Sequence, residues 1–170
     1  MSDDLIDELI AQWRRERPDL DPVAMGVVGR VLRLAGCLQR SVERALAPFG
    51  LSLWQFDVLA TLRRSGAPFR CSPTQLRRAV MLSSGAMTNR IDRLEAAGLV
   101  KRGPDPQDRR GVLIALTPKG RRLVDRAIIA RFEEASQATA SLSAAERGSL
   151  EEGLRKLLAA AEQRPPTGDN

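Results

Sequence analysis

The chain has 170 residues, 43% of them hydrophobic, and a formal net charge of +6. That length suits one domain per subunit, and the basic balance favours a polyanionic partner, although charge alone would serve a membrane surface or plain solubility as well. With no histidine and only two cysteines, Cys37 and Cys71, the usual metal-ligand sets and the commonest general base are missing, so no metal, cofactor or catalysis is expected.

No apolar run approaches the roughly 18 residues of a membrane span, and the acidic start is unlike a secretory signal. A cytoplasmic protein without a membrane partner is expected. Two thiols far apart in sequence fit a reducing compartment, each as a small buried apolar side chain.

The first expected element is a short amphipathic helix from Asp3 to Arg15, with Leu5, Ile6, Leu9, Ile10 and Trp13 on one side. Such a helix is marginal alone and must dock on something, and Trp13 reads as its anchor. Pro18 ends it. Asp21 and Pro22 then supply a cap and a first position for a long helix from Pro22 to Ala47, whose apolar positions (Val23, Val27, Val31, Leu34, Leu38, Val42, Leu46) occupy more than one face. It is long enough to pack on its own subunit and on a second.

A third helix, Leu53 to Arg63, is apolar almost all the way round, which makes Asp57 the least expected residue in the chain. A buried carboxylate needs a cationic or hydrogen-bonding partner or takes up a proton. Residues 65–71 read as irregular, able to add a short third strand. Ser72 to Val80 has a cap and a proline in its first turn, as the first helix of a helix-turn-helix would, with Met81-Leu82-Ser83 as the turn.

Ser83 or Ser84 then caps a helix that closes at Gly98. On its wheel Met87, Ile91 and Leu94 share the buried face. Gly85, Thr88, Asn89, Asp92 and Arg93 lie opposite, a set of small and hydrogen-bonding residues with Arg93 suited to guanine. Arg90 falls on a shoulder between the two. Strands at 99–102 and 112–116 follow, joined by a basic tip from Gly103 to Gly111. In isolation the tip is an ordinary solvated turn; after such a helix it reads as a wing. Thr117-Pro118 opens a long helix to about Ala140, and the capping box Ser143 to Glu146 opens a last one to about Gln163. Leu123, Ile128, Ile129 and Phe132, then Leu150, Leu154, Leu157 and Leu158, give both an apolar stripe. The tail at 164–170 is expected to be disordered.

Three stretches carry a family resemblance: Leu82 to Ile91, Leu94 to Val100, and Asp105-Pro106-Gln107-Asp108-Arg109-Arg110 leading to Leu116-Thr117-Pro118-Lys119-Gly120. From about Asp21 onward the chain resembles the MarR family of bacterial transcription regulators. The fold implied is mainly α with a small β-hairpin wing, a winged helix-turn-helix in a MarR-like dimer with an extra N-terminal helix. Residues 1–20 would be the extra helix, 21–50 and 117–163 the dimerisation helices, and 51–116 the DNA-binding domain. Partners would be double-stranded DNA and a second copy of the chain. Thr88, Asn89 and Arg93 would read the major groove and Arg109 or Arg110 a minor groove, while Arg77, Arg78, Lys101 and the helix cap at Ser84 would meet phosphates. The family's peroxide sensors carry their reactive thiol near the position of Val28, which neither cysteine matches.

The set Trp13, Asp57, Arg90 and Arg102 is similar to the ligand-contacting set of the urate-responsive branch, which also has an extra N-terminal helix. The resemblance implies a small aromatic anion such as urate as effector: two guanidinium groups fork onto its oxygens, an indole covers its face and a carboxylate accepts from its ring nitrogens. Asp57 and Arg90 would equally satisfy each other as a plain structural salt bridge, in an architectural DNA-binding protein with no effector. An enzyme is the remaining reading, and no nucleophile–base pair stands in sequence context to support it.

Overall fold

The computed structural model describes residues 4–80, 84–108 and 111–163, with the side chains of 84–86 outside the description. Helix α1 (Leu5–Glu16) starts two residues later than expected, because Asp4 is its cap: Asp4 Oδ1 accepts from the Ile6 and Asp7 amides at 2.8 and 3.1 Å, and Asp7 accepts from the Asp4 amide in return. Helix α2 (Val23–Leu46) begins after Pro22, with Asp21 Oδ1 accepting from the Val23 amide at 3.0 Å. The two helices approach closely over small residues. A Cβ at Gly26 would lie 3.0 Å from Ile10 Cδ1, and one at Gly29 3.2 Å from Ile6 Cδ1. Arg30 on α2 fastens the same edge, with Nε 2.9 Å from Asp4 and Nη2 2.6 Å from Asp7. Ile6 is thereby buried, while Leu5, Leu9 and Trp13 stay exposed on the outer flank of α1.

A single-turn 3₁₀ helix (Ala47–Phe49) and Gly50 at φ +65° turn the chain into α3 (Leu53–Arg64). Its Val58, Leu59 and Leu62 are fully buried, which is why the apolar pattern runs nearly all the way round it. Strand β1 (Arg70–Cys71) is the third strand that the irregular segment was able to add, and α4 (Pro73–Ala79) carries the expected cap: Ser72 Oγ accepts from the Gln75 amide at 3.2 Å. Helix α5 (Ser84–Ala96) leads into β2 (Val100–Pro104) and β3 (Val112–Leu116). The sheet is antiparallel in the order β1-β3-β2, with Arg70 opposite Ala115 and Arg102 opposite Ile114. β2 starts one residue later than expected, because the Leu99 amide still donates to Leu94 O at 2.9 Å in closing α5, with Gly98 in the left-handed conformation.

Helix α6 (Pro118–Ala138) follows, then α7 (Ala144–Glu162) behind the expected Ser143 capping box. The fold is mainly α with one small sheet, as the sequence reading expects. The chain divides into two compact units, up to Arg131 and from Phe132. The core of the first gathers Val42 and Leu46 from α2, the buried face of α3, Leu76, the inner face of α5, Val100 and Ile114 of the sheet, and Val124 and Ala127 of α6. In the second, Arg147 Nη1 donates to Leu142 O at 3.0 Å across the turn into α7, whose Leu150, Leu154, Leu157 and Leu158 remain exposed. Much of the N-terminal two-thirds of α2 is equally bare, Leu32 at 69% exposure. Cys71 is buried as expected; Cys37 is not, because it sits on that open part of α2. Residues 81–83, Arg109, Arg110 and the tail at 164–170 lie outside the described residues.

Candidate nucleic-acid interface and effector site

Helix α5 is held by its apolar face. Met87 and Ile91 are 2% exposed and Leu94 is fully buried, so the opposite face, Thr88, Asn89, Asp92 and Arg93, is turned to solvent. Helix α4 packs across its start and leaves Arg77 and Arg78 exposed. A shallow hollow of about 120 Å³ between the two helices is lined by Pro73, Thr74, Arg77, Met87 and Thr88. Lys101 lies exposed on β2. Ser84 opens α5, its side chain outside the description, and Arg109 and Arg110 are outside it altogether. Arg77, Arg78, Thr88, Asn89, Arg93 and Lys101 therefore all stand on exposed surface of two consecutive helices and the adjoining strand.

The junction behind the wing is rigidly specified. Thr117 Oγ1 donates to Gly98 O at 2.7 Å and Lys119 Nζ to Ala97 O at 2.9 Å, so the start of α6 closes the end of α5. Gly120 allows this approach: a Cβ there would stand 2.0 Å from Leu99 O. The Thr-Pro-Lys-Gly run noted in sequence is thus a joint between α5, β2 and α6.

The four residues of the suggested effector set are placed differently. Asp57 on α3 and Arg90 on α5 come within each other's field, and Arg64 and Arg131 add to the positive surroundings. Burial nevertheless dominates and pushes the Asp57 carboxyl above its usual range, against the pull of Arg64, Arg131 and Arg90. The Arg90 guanidinium stacks on Trp54, 5.2 Å from the ring centroid. Trp13 stands on the open flank of α1, 47% exposed. Arg102 is engaged elsewhere: Nη2 donates to Asp92 Oδ1 at 2.5 Å, Nη1 pairs with Glu95, and its backbone amide donates to Glu95 Oε1 at 3.0 Å. It clasps β2 to α5. The sequence reading missed Trp54 and Glu95, and it missed Thr61 and Arg64, which border a cleft with Asp57. The available signal was helical spacing, with Thr61 four residues beyond Asp57 and Arg64 three beyond Thr61.

Two consecutive helices, the second with one buried and one hydrogen-bonding face, followed by a three-stranded wing, define a winged helix-turn-helix DNA-binding module. The sequence profile of the MarR family matches residues 49–111. The chain is 42% identical over 123 residues to the HTH-type transcriptional regulator PecS of Dickeya dadantii, covering 72% of this chain and 74% of that protein. The fold superposes on a cysteine-to-serine mutant of MarR from E. coli complexed with operator DNA, with a TM-score of 0.69 and 27% identity over 92% of this chain and 99% of that one. A further structure, of Bordetella bronchiseptica BpsR, concerns regulation of DNA binding by 6-hydroxynicotinic acid; it matches at a TM-score of 0.67 and 31% identity, over 76% of this chain and 91% of that one. The chain belongs to the MarR family. It is a DNA-binding transcriptional regulator, and its fold and relatives are not those of enzymes. Among the described residues no cluster of three or more metal-ligating side chains occurs, and no single helix is long and apolar enough to cross a membrane.

Proposed function

We propose that the protein is a homodimeric repressor that binds a pseudo-palindromic operator in the cytoplasm and leaves it when a small aromatic anion, urate in the first instance, is bound. The observation that carries the effector reading is that Asp57, half-buried on α3 at the edge of a cleft, stands in the combined field of Arg64, Arg131 and, on α5, Arg90. A carboxylate whose neighbours include a side chain of the DNA-reading helix is a point at which an anion can change that helix's position. Trp54 already holds Arg90 from one side, so disturbing Asp57 acts on a side chain with few alternatives.

In this proposal Thr88, Asn89 and Arg93 read base edges in the major groove, and Arg109 or Arg110 enters a minor groove from the wing. Arg77, Arg78, Lys101 and the Ser84 end of α5 bind phosphates. Residues 21–50 and 117–163 make the dimer interface, 51–116 the DNA-binding part and 1–20 an added helix. The exposed apolar positions of α2 and α7 support the dimer, since surfaces of that kind are seldom left to water. Trp13, Asp57, Arg90 and Arg102 serve the effector in this proposal, Arg102 from a position where it also pairs with Asp92 and Glu95.

The test is fluorescence anisotropy of labelled intergenic DNA flanking the protein's own gene, with urate titrated in. A coupling of about 1–3 kcal/mol gives a 5- to 150-fold loss of DNA affinity. Binding unchanged at millimolar urate would refute the effector and leave Asp57 and Arg90 as a structural pair.

A further inference from the structure

Three arginines gather where α6 leaves the sheet. Arg63 on α3 and Arg121 on α6 both lie over the Phe69 ring, 4.8 and 4.6 Å from its centroid. Asp125 pairs with Arg63 Nε at 2.5 Å and more loosely with Arg121 Nε at 3.8 Å, while the exposed Arg122 has no carboxylate within 4 Å among the described residues. Phe69 itself holds the left-handed backbone conformation, φ +59°, with its amide donating to Gly66 O at 2.6 Å and its carbonyl accepting from the Leu116 amide at 3.1 Å. Bulky residues seldom stand there, and such positions collect at ligand sites. The stack walls a cavity of about 360 Å³, within the range of small-molecule pockets, whose apolar lining is Phe69, Leu116 and Pro118 and whose charged lining is Arg121, Arg122 and Asp125. With Arg63 behind it, three guanidinium groups face one carboxylate, which leaves two positive charges in excess.

We propose that this cavity beside Phe69 binds a phosphomonoester of about mononucleotide size. A phosphomonoester carries about −1.5 to −2 charge near neutral pH, which matches the excess, and the planar fork of a guanidinium fits its oxygens. Arg122 supplies that fork without a competing carboxylate. Arg121 rests on Phe69 by its face and offers the phosphate its edge, where the N–H groups lie. Asp125 is engaged by Arg63, so it opposes the anion little. The planar body of the ligand lies along Phe69, Leu116 and Pro118. None of these residues belongs to the effector set around Asp57 or to the exposed face of α5, so the proposal stands apart from both readings.

The experiment is isothermal titration calorimetry of the full chain with AMP, adenosine and inorganic phosphate in turn. Wild type is compared with Arg121→Gln, Arg122→Gln, Arg126→Gln and Arg77→Ala, and each melting temperature is recorded. Wild type should bind AMP, and adenosine, which lacks the phosphate, at least about tenfold more weakly. Arg122→Gln should weaken AMP about tenfold or more with an unchanged melting temperature, since Arg122 has no ion pair to lose, and Arg121→Gln should weaken it as much. Arg126→Gln removes the same charge one turn along α6, where Arg126 lies over Phe49 outside the cavity. A loss as large in that variant would reduce the effect to general charge and overturn the site. AMP bound equally by wild type and both cavity variants, or weakened only by Arg77→Ala, moves the nucleotide to the α4–α5 surface and overturns it as well. Adenosine bound as tightly as AMP overturns the phosphate, and inorganic phosphate bound as tightly as AMP overturns the apolar subsite. A wild type that binds neither AMP nor inorganic phosphate overturns the whole proposal.

Discussion

At the scale of single residues, Gly120 and Asp57 are the positions where chemistry leaves least freedom. A side chain at Gly120 would drive a methyl group into the Leu99 carbonyl, and the bonds from Thr117 and Lys119 to Gly98 O and Ala97 O hold the turn between α5 and β2 in place. Gly120→Ala should therefore cost about 1–3 kcal/mol, as overpacking of a tight contact does. Thermal unfolding checks it, and an unchanged melting temperature would show that the joint yields. Asp57 has the opposite character, a charge that the fold tolerates poorly. Because burial raises its pKa, the folded state favours the protonated acid: its contribution is most favourable below the ordinary carboxylate range and is lost as pH rises through the raised value. Asp57→Asn should thus be more stable than wild type at neutral pH, the gap closing as pH falls below about 4. Denaturant midpoints across that range decide it; a gap that widens toward acid would reverse the sign. The two positions were not equally legible in the linear sequence. Asp57 stood out because it interrupts an apolar helix. Gly120 belonged to a motif whose reason, a carbonyl from another element, lies 21 residues earlier in the chain.

At the scale of elements, the bond between the wing and α5 joins two parts of the proposed DNA-binding surface. Arg102 reaches from β2 to Asp92 and Glu95 on α5, and each exposed pair of this kind contributes about 0.2–1 kcal/mol. Its worth lies in angle more than in stability, for it pairs Asp92 on the exposed face of α5. Arg102→Ala should lower operator affinity severalfold, and the two lost pairs should cost at most a few degrees of melting temperature. Anisotropy at fixed salt measures this, and full affinity in the variant would remove the clasp from the account. Within α5 itself, Arg93→Ala should lose mainly the discrimination between operator and random DNA, whereas Arg110→Ala should weaken all DNA alike and flatten the salt dependence. Identical behaviour of the two would undo the division between groove reader and wing anchor. The helices and their caps were readable in advance because capping and amphipathic spacing act within a few residues. Ser143 and Ser72 are the plainest cases. The clasp was not readable, since Arg102, Asp92 and Glu95 meet only once the strand has turned back beside the helix.

At the scale of the whole molecule, an isolated chain leaves Leu32 69% and Phe132 74% exposed, together with the stripe along α7. The expected outcome is a dimer by light scattering at micromolar concentration, reading half-sites about one helical turn apart. Leu32→Glu and Phe132→Asp should each give monomers that fail on the full operator, and a monomeric wild type would contradict the assembly. The sequence by itself determined the helical elements, the buried and open faces of α5 and the wing, because periodicity, caps and turn residues are local signals that survive without a third dimension; the family came from the resemblance of the stretches at 82–91, 94–100 and 105–120. Only the tertiary structure decided that Arg102 turns to Asp92 and Glu95, that Thr61 and Arg64 border one cleft with Asp57, and that Cys37 stands on an open surface. Those outcomes depend on which elements are neighbours in space. A guanidinium takes the nearest carboxylates, and a cleft exists only where two helices fail to close.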